Sequence, residues 1–250
     1  MTKSPIIEVK GITKNFKGLR AVSDVSFSIE EGQITGMIGP NGAGKSTTFN
    51  MICGYYPPSS GTILYKGQDI TGRPAYEYTD MGIARTFQIM KPLGSLTVEE
   101  NIIASAFFGR HKPKGLVEAR EIALDALEFT GLYHKRAVKA REMGTPDQKR
   151  LEVARALSTG PEMLFLDETM AGLNPSETQD AIKLIQKIND SGITVFLIEH
   201  IMKAVVSLCS QVIVLHHGEK IAQGTPQEVM NDPYVVEVYL GGKREDVCSK

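Results

Sequence analysis

The residues best equipped for chemistry lie in one short run. Gly39-Pro40-Asn41-Gly42-Ala43-Gly44-Lys45-Ser46 fits the pattern G-x-x-x-x-G-K-[ST] in full. Its glycines allow the backbone to turn successive N–H groups inward, toward oxygens of a bound phosphate. A helix beginning near Lys45 adds the positive end of its dipole. Lys45 can then reach β- and γ-phosphates, and the Ser46 hydroxyl can bind Mg2+. The loop from Gly39 to Thr47 is therefore expected to hold the phosphates of a nucleotide. Its contacts would come from Gly39, Asn41, Gly42, Ala43, Gly44, Lys45, Ser46 and Thr47.

A phosphate loop needs a second part, an acidic residue at the end of another strand that holds the metal through water. Met163-Leu164-Phe165-Leu166-Asp167 supplies it, and Glu168 follows at once. A carboxylate at Glu168 can orient and polarise an attacking water. Together the two segments imply a nucleotide with Mg2+, expected to be ATP undergoing hydrolysis, although the phosphate loop alone does not separate an ATPase from kinases or GTPases.

These groups need elements to hold them. The apolar run Ile34 to Ile38, fed by a turn at Glu31-Gly32, is the strand that must precede the loop. Ile6 to Val9, Val25 to Ile29 and Thr62 to Tyr65 also read as strands. The middle third, roughly Leu96 to Ala156, turns helical, and Leu116, Ala119, Ile122, Ala123 and Ala126 recur at helical spacing on one face. Strands then return at Met163 to Leu166, Thr194 to Ile198 and Gln211 to Leu215. Between the first two, Asn174-Pro175-Ser176-Glu177 is a helix start with cap, Pro and Glu in place. The chain reads as an α/β protein with a helical insert and no internal repeat.

Composition narrows the setting. A formal net charge of -1, with Lys and Arg scattered, gives no basic field for nucleic acid or anionic lipid. Apolar stretches such as Ile102 to Phe108 are too short to span a bilayer, and no apolar segment of signal-peptide type follows the N-terminus. Cys53, Cys209 and Cys248 share no metal-ligand spacing and are expected as reduced thiols in a cytoplasmic protein.

The ordered set of motifs resembles the ATPase subunits of ABC transporters over nearly the whole chain. That resemblance implies a P-loop core of ABC ATPase type, with an antiparallel β subdomain and a helical subdomain. One ABC ATPase domain would fill residues 1–250: core and β subdomain in 1–90, the helical part in 91–157, and the rest of the core in 158–250. It also implies further roles. Gln88, in Arg85-Thr86-Phe87-Gln88, takes the place of the glutamine that contacts Mg2+ and water and touches the membrane subunits. Phe16 stands where an aromatic ring stacks on adenine, and His200 where a histidine contacts the γ-phosphate. Catalytic roles thus fall to Glu168, His200, Gln88 and Lys45, and metal contacts to Ser46, Gln88 and Asp167. Asn174, in Ala171-Gly172-Leu173-Asn174, replaces an Asp that many relatives carry.

Within the family, Gly82 to Gln88, Leu96-Thr97-Val98-Glu99-Glu100-Asn101, Arg150 to Leu157 and the stretch from Asn231-Asp232-Pro233 through Tyr239-Leu240-Gly241 look like the branched-chain amino acid importer group. The implied system pairs this chain with an identical or paralogous ATPase on membrane permease subunits, served by an extracytoplasmic solute-binding protein. The chain would sit on the inner face of the cell membrane. One departure stands out. Where the family has a signature close to L-S-G-G-Q, this chain has Met143-Gly144-Thr145-Pro146-Asp147. Proline has no N–H to donate, and Asp147 adds a negative charge, so this segment is expected to serve a partner's ATP poorly. An ABC-type ATPase outside transport and a nucleotide-binding regulator with weak hydrolysis stay open as alternatives.

Overall fold

A computed structural model describes residues 5–86 and 92–240. Its strands are β1 (Pro5–Phe16), β2 (Leu19–Glu30), β3 (Ile34–Ile38), β4 (Ser60–Tyr65), β5 (Gln68–Asp69), β6 (Ile83–Arg85), β7 (Met163–Asp167), β8 (Thr194–Ile198), β9 (Gln211–His216) and β10 (Glu219–Gly224). Its α-helices are α1 (Lys45–Ile52), α2 (Ala75–Asp80), α3 (Val98–Ala106), α4 (Leu116–Thr130), α5 (Thr145–Leu157), α6 (Pro175–Asp190), α7 (Met202–Leu208), α8 (Pro226–Asn231) and α9 (Pro233–Leu240). Two compact units emerge, Met1–Arg73 with Ile198–Lys250, and Pro74–Leu197.

In the first unit, β2, β1, β4 and β5 lie side by side as an antiparallel sheet. β1 and β2 run far beyond the apolar stretches that mark them in the sequence. Their hairpin turns at Lys17 and Gly18, both with positive φ (37° and 96°), a turn whose twist matches that of the flanking strands. Shifts of register let the pair stay joined from Pro5↔Glu30 to Phe16↔Leu19. Ile7, Val9, Ile12, Val25 and Ile29 are all buried. β3 is buried at every position and pairs in parallel with β9, Gly36 opposite Val212 and Ile38 opposite Val214. A strand covered on both faces reads as an unbroken apolar run, which is why Ile34 to Ile38 was legible.

In the second unit, β6 pairs in parallel with β7, Arg85 opposite Phe165, and β8 lies on the other side of β7. α3, α4 and α5 close around Val98, Ile102, Ala123, Leu127, Leu132 and Leu151. The buried face of α4 is Ala119, Ala123, Ala126, Leu127 and Thr130. Leu116, expected on that face, is 65% exposed, because the core gathers only from the second turn of the helix onward. α6 opens as its sequence predicts: the Asn174 side chain accepts from Glu177 N–H while the Glu177 carboxylate accepts from Asn174 N–H. Among the described residues, no helix is long and apolar enough to cross a membrane.

Candidate functional site

Between β3 and α1 the chain makes a cradle that excludes side chains. Gly39 has φ +154°, and a Cβ there would lie 2.2 Å from the Leu215 carbonyl oxygen. Gly44 has φ +96°, and a Cβ would lie 2.7 Å from the Ala21 carbonyl oxygen. The sequence requires glycine at both positions for space as well as for conformation. Gly44 caps α1 without a side-chain bond, and the first turn of α1 contains no acidic residue. The positive end of that helix is thus left to an external anion.

Lys45 lies inside this loop, 6% exposed, and its Nζ donates to the carbonyls of Gly39 at 2.7 Å and Pro40 at 3.0 Å. The charge is therefore held at the loop itself. Asn41, Gly42 and Ser46 are exposed, and Thr47 is half-buried. Ala43 is buried, its N–H donating to Pro40 O and its carbonyl accepting from Gly218 N–H. Its amide braces the loop from within. Sequence reasoning missed Tyr239 of α9, whose phenol is pushed up to about 12 by desolvation, the backbone of Gly39 beside it acting the other way. Only the last residues of the chain could have signalled it.

Phe16 closes β1 with 39% of its surface exposed. Its ring meets Tyr56 edge-on at 5.7 Å, and Lys14 Nζ lies 5.3 Å from the ring centre. Such a ring, held at its edge, can still offer a face to a flat base. His200, two residues past β8, is exposed, and Glu199 beside it is buried. Gln88 lies outside the described residues.

In the second unit Asp167 ends β7 at 5% exposure, with its carboxylate 3.9 Å from the Arg85 guanidinium. Thr86 stitches this strand end: its N–H donates to Phe165 O at 2.9 Å, and its hydroxyl accepts from Asp167 N–H at 3.4 Å. Glu168 takes a left-handed backbone, φ 49°, a conformation uncommon outside glycine that re-aims a side chain at a strand end. Its carbonyl accepts from Ala171 N–H at 3.2 Å and from Lys149 Nζ at 3.4 Å. Arg85 and Thr86 entered the sequence reading only as neighbours of Gln88, and nothing in spacing pointed to Lys149.

The start of α5 holds the departure from the family signature. Met143 is buried, Gly144 is the cap residue without a side-chain bond, and Pro146 sits in the first turn. Asp147 forms an ion pair with Lys135, which the sequence reading did not foresee. Among the described residues, no three His, Cys, Asp or Glu side chains gather as a metal cage. A hydroxyl at Ser46 and a carboxylate at Asp167 are hard oxygen donors. Each taken by itself is a donor of the kind Mg2+ takes, since that ion keeps several waters and binds one or two carboxylates plus substrate phosphates.

Comparisons with known proteins place the chain in a family. The family model described as ABC transporter matches residues 22–171, and the one described as Branched-chain amino acid ATP-binding cassette transporter matches residues 219–245. The high-affinity branched-chain amino acid transport ATP-binding protein LivG of Salmonella typhimurium is 39% identical, with 95% of this chain and 98% of that protein covered. BraF of Pseudomonas aeruginosa, with the same description, is also 39% identical at the same coverage. Among solved structures, the ADP conformation of an ATP-binding cassette of an ABC transporter superposes with TM-score 0.87 at 35% identity, covering 96% of this chain and 100% of that one. A dimeric post-hydrolysis state of an ATP-binding cassette bound to ADP and Pi gives 0.78 at 26% identity, covering 88% and 98%.

Proposed function

The chain belongs to the ABC transporter family, and from that premise we propose that it is the ATP-hydrolysing subunit of an importer for branched-chain or related amino acids. The phosphate loop carries the proposal. Gly39 and Gly44 cannot bear a side chain, α1 presents an uncapped positive end, and a buried ammonium lies against the loop. Binding energy there comes from amides, a dipole and one cation, arranged before the ligand arrives. Glu168 is the proposed group that orients the attacking water, His200 the one that contacts the γ-phosphate, and Gln88 the one that contacts Mg2+ and water and touches the membrane subunits. Phe16 would stack on adenine. Ser46, Gln88 and Asp167 would hold Mg2+, which when bound neutralises developing charge between β- and γ-phosphates.

The ATPase works as a dimer on membrane permease subunits, and an extracytoplasmic binding protein would deliver the solute. Each nucleotide would lie between one subunit's phosphate loop and the other's signature segment. Phe107 and Phe108 at the end of α3, with Leu116 and Val117 at the start of α4, leave apolar surface exposed, Phe108 by 78%. We assign that surface to the permease subunits at the inner face of the membrane. The division into parts 1–90, 91–157 and 158–250 belongs to the same proposal. Because Pro146 lacks an N–H, the partner is proposed to be a paralogue with an intact signature.

The test compares the purified chain with the assembled transporter. Turnover should be slow for the chain alone and rise on assembly, and Glu168→Gln should abolish it while MgATP still binds. ATP should raise the melting temperature of the wild type but not of Lys45→Ala, since a ligand at about 100 times its Kd adds about 2.7 kcal/mol to the native state. Equal turnover by chain and complex would overturn the asymmetric pair. Undiminished turnover in Glu168→Gln would overturn the catalytic assignment.

A further inference from the structure

α5 does more than carry the segment from Met143 to Asp147. One turn into that helix, Lys149 extends its ammonium to the turn that follows β7. Its Nζ donates to Ala171 O at 2.5 Å and to Glu168 O at 3.4 Å. The same turn is braced internally by Ala171 N–H on Glu168 O at 3.2 Å and Leu173 N–H on Met170 O at 3.2 Å. The Glu168 carbonyl therefore collects two donors, one from its own turn and one from α5.

The backbone of Glu168 explains why a second donor matters. A left-handed φ of 49° at a glutamate persists only where surrounding groups hold it. Hydrogen bonds from an ammonium are roughly twice as strong as neutral ones. The stem of Lys149 also lines a cavity of about 50 Å³ with Pro146, Val153, Leu173 and Ile185. Its ammonium is thus held by two carbonyls of the turn after β7. Thr145 and Lys149 lie about one turn apart on a rigid helix.

We propose that Lys149 is a positioning residue that ties the conformation of Glu168 to the start of α5. Engagement of the partner's nucleotide by that helix then sets the geometry of water attack at this subunit's own nucleotide. The inference rests on the reading of Glu168 as the water-orienting carboxylate.

Its test uses the assembled transporter. Lys149→Met keeps the apolar stem and removes the ammonium, whereas Lys149→Arg keeps donors in reach. Lys149→Met should lower kcat at least about tenfold, since a misplacement of about 1 Å at the reacting groups can cost about a hundredfold. KM for ATP and the Kd of a fluorescent ATP analogue should stay within about twofold, since neither depends on the water. Lys149→Arg should recover at least half of the lost rate. In a Glu168→Gln background the Lys149→Met change should have no further effect. Wild-type kcat in Lys149→Met, or a parallel loss of KM, Kd and melting temperature without rescue by arginine, overturns the inference and leaves the ATPase reading intact. Normal turnover in Glu168→Gln alone overturns the reading beneath it, and the inference with it.

Discussion

Lys135 and Asp147 form an ion pair that lies against the first turn of α5, with the lysine 35% and the aspartate 25% exposed. The aspartate occupies the signature position expected to repel a partner's γ-phosphate, so the lysine offsets part of that repulsion. A half-exposed pair of this kind contributes at most about 1 kcal/mol to folding. Its value lies in the local field. In the assembled transporter, Lys135→Met should reduce turnover about three- to fivefold, roughly 1 kcal/mol of lost charge balance at the partner's site. Asp147→Gln added to Lys135→Met should return the rate to wild type, and thermal unfolding should shift little in either. An unchanged rate in Lys135→Met would show that Asp147 does not face the nucleotide.

Pro146 poses a sharper trade. As a residue of the first turn of α5 it suits the helix start, where a missing N–H costs nothing. Toward an anion it is a missing donor. Pro146→Gly should restore that N–H and raise turnover of the partner's ATP by about tenfold or more, the worth of one hydrogen bond to a charged group. The same change should lower stability by about 1 kcal/mol through the glycine's unfolded-state freedom. Rate and stability moving in opposite directions would mark the proline as a retained handicap; a rate that does not rise would place the segment away from the nucleotide.

The phosphate loop was legible because its chemistry and its backbone demand the same residues. Gly39 and Gly44 are needed both for φ and for space, so the pattern survives in the sequence. β3 and β8 were equally plain, since strands buried on both faces are unbroken apolar runs. The lengths of β1 and β2 were hidden, because their outer halves carry polar residues and only Gly18 of the two-residue turn marks a hairpin, Lys17 taking its positive φ without a sequence signal. Lys135, Lys149 and Tyr239 escaped for another reason. Each acts on backbone or on one distant side chain, and no local spacing encodes a partner 12, 19 or 200 residues away.

Asn174, which the family resemblance puts where many relatives would carry Asp, caps α6 with a bond that does not need the amide nitrogen. Its Oδ1 accepts from Glu177 N–H at 3.0 Å, a bond that either side chain can make. Asn174→Asp should therefore leave stability within about 0.5 kcal/mol, whereas Asn174→Ala should cost about 1 kcal/mol. Denaturant unfolding of the two variants checks this. A loss of similar size in both would show that the amide N–H2 of Asn174 carries the effect instead.

Cys209 and Gly36 set the last expectation, which concerns the packing behind β3. A Cβ at Gly36 would sit 2.8 Å from Cys209 Sγ. Gly36→Ala should destabilise by about 1–3 kcal/mol, the usual cost of overfilling a packed core, and Cys209→Ala should recover most of it by making room. Burial, with Glu199 nearby, pushes the Cys209 thiol up to about 12 from an ordinary 9.0. A thiol whose folded value is raised keeps its proton where the unfolded chain has lost it. Its contribution is therefore complete below pH 9 and declines between pH 9 and about 12. The wild type should lose more stability than Cys209→Ala across that window, and maleimide at pH 8 should leave Cys209 unlabelled until the chain unfolds. Rapid native labelling, or identical pH profiles for the two proteins, would mean that the thiol is not held in this protonated, covered state.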